Sequence, residues 1–435
     1  MNIDSGDNLV SSIAWTAPRS DTYFIIVNGR LNDSYIFTVN DEASARSPVP
    51  GQTTTPGISP TTLPSAGALT FASVSAGSQH TCGVTTSGAA YCWGFGQYGQ
   101  SGDGSATISQ MMPVAVSGGL TFASLSAGNE YTCGVTTSGA AYCWGEGEYG
   151  QLGNGSERDQ ARPVTVSGRL TFAAVTAGEV HSCGVTTTGD AYCWGQESSG
   201  ALGDGSRRDQ TTPVAVSGGL TFRTVSAGFT HSCGVTTSGA AYCWGKGKEG
   251  QLGNGSMDLV KPTPVAVSRG LNFTEVSAGS SHSCGVTTSG VAFCWGYGGE
   301  GMLGDGATVR QSTPGDGTND RQLQPVPVSG GFTFASVKAG HGHTCGVTTS
   351  GAGYCWGTGA AGVLGDDNAV DNSTTPVAVS GGLAFASLSA GFDHNCAVTT
   401  VGAAYCWGWP SPGKLGDGSG RQQFTTAAVA PPAGR

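Results

Sequence analysis

From Leu69 onward the chain alternates apolar and polar positions in short runs, each broken by Gly, Pro, Ser or Asn. One stretch shows the whole cycle: P-V-A-V-S-G-G (113–119), L-T-F-A-S-L-S-A-G (120–128), Y-T-C-G-V-T-T-S-G-A-A-Y-C-W-G (131–145), then E-G-E-Y-G-Q-L-G-N-G-S. Two-residue alternation bounded by turn formers reads as strands joined by tight turns. No helical period accompanies it, so each cycle predicts four short strands.

The cycle recurs seven times. Cys82, Cys133, Cys183, Cys233, Cys284, Cys345 and Cys396 open the units at intervals of 51, 50, 50, 51, 61 and 51 residues. A second cysteine follows each ten positions later, at Cys92, Cys143, Cys193, Cys243, Cys294, Cys355 and Cys406, always before Trp-Gly. Repeat cores fall near 69–94, 120–145, 170–195, 220–245, 271–296, 332–357 and 383–408. Four strands cannot bury their own faces, so the copies must stack, and radial stacking leaves only short sheet edges. The expectation is an all-β, seven-bladed β-propeller of four-stranded antiparallel blades over residues 69–430.

The string A-G-x-x-H-[ST]-C-G-V-T-T-x-G-x-A-Y-C-W-G-x-G-x-x-G-Q-L-G-[DN]-G resembles the regulator of chromosome condensation repeat. That resemblance implies seven-bladed propellers but leaves function open, because the family includes a nuclear exchange factor, a plant photoreceptor and a secreted β-lactamase inhibitor. The photoreceptor reading fails on residues: the tryptophan motif of that relative needs Arg-His-Thr where this chain has Ser78-Gln79, Phe229-Thr230 or Phe392-Asp393. The repeated Trp93, Trp144, Trp194, Trp244, Trp295, Trp356 and Trp407 instead read as packing between blades.

Two segments stand outside the repeat. Residues 46–68 are rich in Pro, Thr and Gly and read as an extended linker. Residues 1–45 hold three strand-like runs that resemble part of the pre-peptidase carboxy-terminal β-sandwich of secreted bacterial proteins, as if a longer exported chain had been cut. The first unit lacks a P-V-A-V run ahead of it. Residues 425–430 (T-T-A-A-V-A) resemble that run and are expected to complete the first blade.

In T-T-S-G-A (85–89) the glycine sits where a three-residue hairpin loop needs a left-handed residue. Pairing then runs Thr85 with Ala89, Val84 with Ala90, Gly83 with Tyr91 and Cys82 with Cys92. The cysteines form a non-hydrogen-bonded pair with Cα atoms about 4.5 Å apart, within reach of a disulfide. Buried free thiols and a metal site are the alternatives, although zinc ligands usually stand two to four residues apart. Seven bridges would point to an oxidising compartment.

His80, His181, His231, His282, His343 and His394 precede the first cysteine of their units by two, with Tyr131 in the second unit. They form either an imidazole ring around a channel, able to hold metal or anions, or a set of side chains bonding backbone carbonyls. Tyr131 favours the second, since a phenol donates that bond but ligates metal poorly. His341 lies outside the pattern and reads as a surface residue. The glycine-rich loops lack the Lys-Ser/Thr of a phosphate loop, and Asp103, Asp204, Asp305, Asp366 and Asp417, with Asn154 and Asn254, read as turn residues rather than calcium ligands.

Departures from symmetry carry the functional signal. Tyr98, Glu146, Glu148, Tyr149, Lys246, Lys248 and Tyr297 follow the Trp-Gly pairs and should share one face of the propeller. The fifth unit is ten residues longer and adds Arg310, Asp316, Asp320 and Arg321. Mixed aromatic and charged loops suit protein binding. A formal net charge of −10 with no Lys/Arg cluster argues against nucleic acid, and no run reaches the ~18 apolar residues of a membrane helix. No catalytic or metal constellation stands out, and no cofactor is implied. The reading is therefore a secreted or surface-displayed bacterial module, monomeric within a larger parent, that binds a protein or, less favoured, a glycan. Its rivals are an intracellular exchange factor for a small GTPase and a channel-site polysaccharide lyase or hydrolase.

Overall fold

A computed structural model describes residues 69–197, 199–307, 320–368 and 371–432. Calls on residues 1–68, and on Arg310 and Asp316, lie outside these. Seven four-stranded antiparallel sheets are present, each built from consecutive strands. The first blade comprises Phe71–Ala76, His80–Thr85, Ala90–Phe95 and Ser109–Ala115; the seventh comprises Phe385–Ala390, His394–Thr399, Ala404–Gly408 and Gln423–Ala428. First strands of successive blades touch one another, and the last touches the first, so they line the axis of a closed ring. Helical structure among the described residues is confined to single 3₁₀ turns such as Gly299–Gly301.

Burial follows position in the blade. Every residue of the second strand is buried in all seven blades, because both of its faces pack on neighbours. The fourth strands, such as Gln160–Thr165, are half-buried and form the rim. All seven repeat tryptophans are fully buried. Each packs against the phenylalanine that opens its own blade, with ring centroids 5.7 to 6.2 Å apart. The Q-L-G-[DN]-G loop of the preceding blade covers the indole: a Cβ at Gly153 would stand 2.7 Å from Trp194 Nε1.

A glycine in the second strand of six blades explains a local difference in the seventh. A Cβ at Gly83 would lie 2.7 Å from the Phe71 ring. The seventh blade has Ala397 there, and the Phe385 ring meets Trp407 at 32°, whereas the other six pairs meet at 54° to 61°. The added methyl goes with a turned ring, which enters space that Gly353 leaves where the other blades have alanine: a Cβ there would stand 2.9 Å from the Phe385 ring.

The hairpin register is Cys82 opposite Cys92, Gly83 opposite Tyr91 and Val84 opposite Ala90, repeated in each blade. Gly88 adopts φ +84°, as the loop requires. All seven cysteine pairs are disulfides with Cα–Cα distances of 4.0 to 4.1 Å. No free cysteine remains. Each bridge ties residues ten apart, which contributes about 2–3 kcal/mol per blade through chain entropy.

The expected closing strand is corrected. Residues 425–428 belong to the strand Gln423–Ala428, which pairs with Ala404–Gly408 of the seventh blade and not with the first. The P-V-A-V run that follows each unit is that unit's own fourth strand, so the first blade has its four strands within Phe71–Ala115. Closure comes from contacts between blades: Phe71 N bonds Gly402 O at 2.8 Å and Trp93 Nε1 donates to Lys414 O at 3.0 Å. The buried Lys414 ammonium pairs with Asp393 of its own blade and donates to Ser78 O across this seam at 3.3 Å.

Candidate functional site

The histidines belong to the blade interfaces, not to a channel. Each is buried to within 1% exposure, and its Nε2 lies 2.7 to 2.8 Å from a side-chain oxygen of the next blade. The partners are Thr132, Ser232, Ser283, Thr344, Asn395 and, across the seam, Thr81. Backbone carbonyls had been expected instead. They are already taken: the same hydroxyls donate to carbonyls of the preceding loop, as Thr132 does to Gln100 O at 3.0 Å.

This arrangement fixes the tautomer. A hydroxyl that spends its proton on a carbonyl can only accept from the imidazole, so Nε2 carries the hydrogen. Asn395 makes the same point without a rotor, because its Nδ2 donates to Val363 O and its Oδ1 accepts from His343. Nδ1 of five of the rings has no hydrogen-bond partner among the described residues, and that of His394 lies 3.9 Å from Asp393 Oδ1. Burial therefore holds the imidazoles neutral, depressed to about 3 for His80, His231 and His282 and about 4 for His181 and His394. Tyr131 replaces the imidazole by donating to His181 O at 2.6 Å and accepting from Gly178 N at 3.0 Å.

The two faces of the ring differ in kind. On one, the hairpin between second and third strands reads Thr-Thr-Ser-Gly in five blades, with Thr188 or Val401 replacing serine in the other two. On the other face, turns between first and second strands hold a glycine whose carbonyl accepts from the amide after the preceding blade's glycine. Ser78 N reaches Gly128 O at 3.0 Å, Phe229 N reaches Gly279 O at 3.0 Å, and Phe392 N returns to Gly77 O at 3.2 Å. This belt of backbone bonds encircles the axis.

Side chains projecting from the belt are unlike one another. After the glycine come Ser78, Asn129, Glu179, Phe229, Ser280, His341 and Phe392. Just outside them stand Phe95, Glu146, Gln196, Lys246, Tyr297, Thr358 and Trp409, whose amides bond to the same turns, as Glu146 N does to Glu130 O at 3.0 Å. Seven near-identical blades thus vary where their backbone is most tightly fixed, on one face.

Two sectors have distinct chemistry. In blades two and three, Glu130, Glu146 and Glu179 share one another's field. Partial burial, then repulsion led by Glu130, pushes Glu146 and Glu179 up to about 7, while burial and the Asp159 charge raise Glu130. In blades four to six a cavity of about 510 Å³ opens between Phe229, Tyr297, His341, Lys246, Glu300 and Met302. His341 stacks on Phe392 at 3.8 Å and meets Phe229 edge-on at 5.9 Å.

Of the residues singled out from sequence, Lys246 and Tyr297 line this cavity and Glu146 joins the acidic sector. Tyr98 lies in the field of Glu130 and Glu146, which raises its phenol. Tyr98 and Tyr149 are half-buried, their amides held by Gln100 and Gln151, while Lys248 is exposed. Asp320 takes the Gly298 amide on its carbonyl. Arg321 is a strand residue, not a free loop cation: it opens Arg321–Pro327 and pairs with Glu249 at 2.6 Å. The loop aspartates and asparagines are turn formers, each accepting the amide two residues on, as Asp204 does from Ser206 at 2.8 Å. His341, read as an ordinary surface residue, is central. Phe229, Phe392, Glu130, Glu179 and Trp409 were missed.

Fold and site together define a disulfide-stapled β-propeller that keeps an invariant framework and varies one face. The chain belongs to the RCC1-like domain family, whose model matches residues 26–315, and regulator of chromosome condensation repeats match residues 289–347 and 385–412. It is similar to the ultraviolet-B receptor UVR8 of Arabidopsis thaliana, 32% identical over 164 residues, which is 38% of this chain and 35% of the receptor. The match thus spans about a third of that relative's length. Among solved structures, yeast RCC1 (Prp20), seen bound to Kap60, superposes with a TM-score of 0.69 at 18% identity, covering 87% of this chain and 91% of that one. Human WBSCR16 gives a TM-score of 0.68 at 19% identity, covering 76% and 88%. These likenesses establish the fold. Among the described residues no helix is long and apolar enough to cross a membrane.

Proposed function

We propose that this propeller is a non-catalytic, extracellular binding module whose partner is a protein seated on the variable face. One observation carries the reading: across seven repeats the hairpin face is almost constant, while the belt positions run through Ser, Asn, Glu, Phe and His. A framework needs the same residue at each equivalent position, and a single asymmetric ligand needs different ones. The mixture of aromatic and charged side chains suits a protein surface. The extracellular placement rests on the seven disulfides.

The test is site-specific photo-crosslinking with intact protein and the secreted and surface proteins of its source cells. A benzophenone amino acid replaces Lys246 or Trp409 on the variable face, and Thr137 or Ser238 on the hairpin face. Discrete adducts from the first pair alone are the expected result. Adducts from both pairs equally, or from the hairpin face alone, refute it.

A further inference from the structure

The acidic sector and the aromatic cavity adjoin. Glu179 N bonds Gly228 O at 3.2 Å, and Phe229, which walls the cavity, is the next residue. A segment crossing the axial mouth therefore meets carboxylates over blades two and three and, over blades four to six, a hollow walled by Phe229, Tyr297, His341 and Met302 with Lys246 and Glu300 beside them.

Among the described residues the Glu130 and Glu179 carboxylates take no part in the framework bonds, while Glu146 spends one oxygen on the side-chain amide of the buried Gln151 at 3.1 Å. Sister blades place Gln79, Gln196 and Ser280 at the positions of Glu130, Glu146 and Glu179, with the same backbone bonds. Other acids near the blade interfaces have cations: Glu249 has Arg321, Glu275 has Lys338 and Asp393 has Lys414. Among the described residues, none of the three glutamates forms an ion pair. Crowding them, half-buried, costs stability that an incoming cation would return. The hollow is likewise a departure, since Phe229 and His341 replace the Ser78 and Ser280 of sister blades. Its volume of about 510 Å³ accommodates a large side chain.

We infer that the mouth binds an extended protein segment carrying a Lys or Arg beside an aromatic or large aliphatic residue, the cation on Glu130, Glu146 and Glu179 and the apolar side chain in the Phe229–Tyr297–His341 hollow. This rests on the protein-binding reading and specifies the partner's chemistry. Charge complementarity sets the direction, and the apolar anchor supplies affinity that salt does not screen.

The experiment pans a displayed library of random twelve-residue peptides on the intact protein. Winners are measured against two variants built from sister-blade residues, so that the fold already tolerates each substitution: Glu130→Gln/Glu146→Gln/Glu179→Ser, and Phe229→Ser/His341→Ser. Enriched peptides should pair a base with a large apolar residue and weaken at least ten-fold in each variant, the first variant also losing most of the salt dependence. Neutral or acidic winners, or winners that keep their affinity in either variant, overturn the two-anchor assignment. If those winners still fail with Trp409→Ala, protein binding by this face survives. Enrichment of no peptide, together with a glycan-array ligand lost in Phe229→Ser/His341→Ser, overturns both.

Discussion

Replacing His231 by tyrosine should remove part of the protein's sensitivity to acid, because it copies the arrangement the second blade already uses. The next blade offers a His231→Tyr phenol what Tyr131 has: the carbonyl of His282, the amide of Gly279 and the hydroxyl of Ser283 stand where His181, Gly178 and Ser182 stand for Tyr131. The sign follows from proton counting. His231 is held at about 3 in the fold against 6.5 when unfolded, so between those values the unfolded chain binds more protons and stability falls as pH falls. From pH 7 to 4.5 the unfolded ring gains about three quarters of a proton and the buried one almost none, which integrates to about 2.5 kcal/mol. Buried carboxyls act oppositely, since Glu146, Glu179 and Glu197 have raised values of about 7, 7 and 8 and favour the fold as they protonate. A difference between two proteins cancels them. Guanidinium unfolding of wild type and His231→Tyr at pH 7.0 and 4.5 gives the double difference directly. The variant should lose about 2 kcal/mol less on acidification. A double difference near zero refutes the neutral-imidazole assignment, whatever the variant does to stability at pH 7.

Intact mass after alkylation in denaturant should show all fourteen cysteines labelled only when reduction comes first, as seven disulfides require; labelling without reduction in protein made in an oxidising compartment contradicts the pairing. Gly178→Ala should lower the thermal midpoint, because its Cβ would stand 2.4 Å from Gly228 O in the axial belt. Overpacking of this kind costs about 1–3 kcal/mol, and an unchanged midpoint shows that the belt yields freely.

Hairpins and disulfides were legible because a three-residue loop with one left-handed glycine sets the register, and alternation does the rest. Where the cycle is cut was not legible. P-V-A-V followed by L-T-F, and L-T-F followed by P-V-A-V, partition a repeating string equally well; only pairing shows that Gln423–Ala428 ends the last blade. The partner of each histidine was hidden for a different reason. It lies 51 to 62 residues along the chain, or 313 back across the seam, on a strand with which the histidine shares no sheet. His341 and Phe229 carry no signal in a single copy of the repeat, because they stand at short-turn positions whose residue type the framework does not constrain. Read down the seven copies, the two positions between Ala-Gly and the buried His or Tyr are among the least alike in the unit.

Such variation is affordable because cohesion and recognition use different atoms. The axial belt is made of amide hydrogens and glycine carbonyls, and the interface bonds join buried imidazoles to side-chain oxygens of the next blade, and hydroxyls and indoles to backbone oxygens. No side chain of Ser78, Asn129, Glu179 or Phe229 enters either set. A substitution at these positions leaves the bonds that close the ring intact, so binding and stability are separable to the extent that the sites share no partner. The exceptions locate where separation ends. Ser280 bonds His341 O through its hydroxyl at 2.5 Å, and Asp393 holds the buried Lys414 at the seam. Changes there, or at Glu146, which accepts from the buried Gln151 amide, must move the framework and the face together, whereas changes at Glu130, Glu179 and Phe229 should move the face alone.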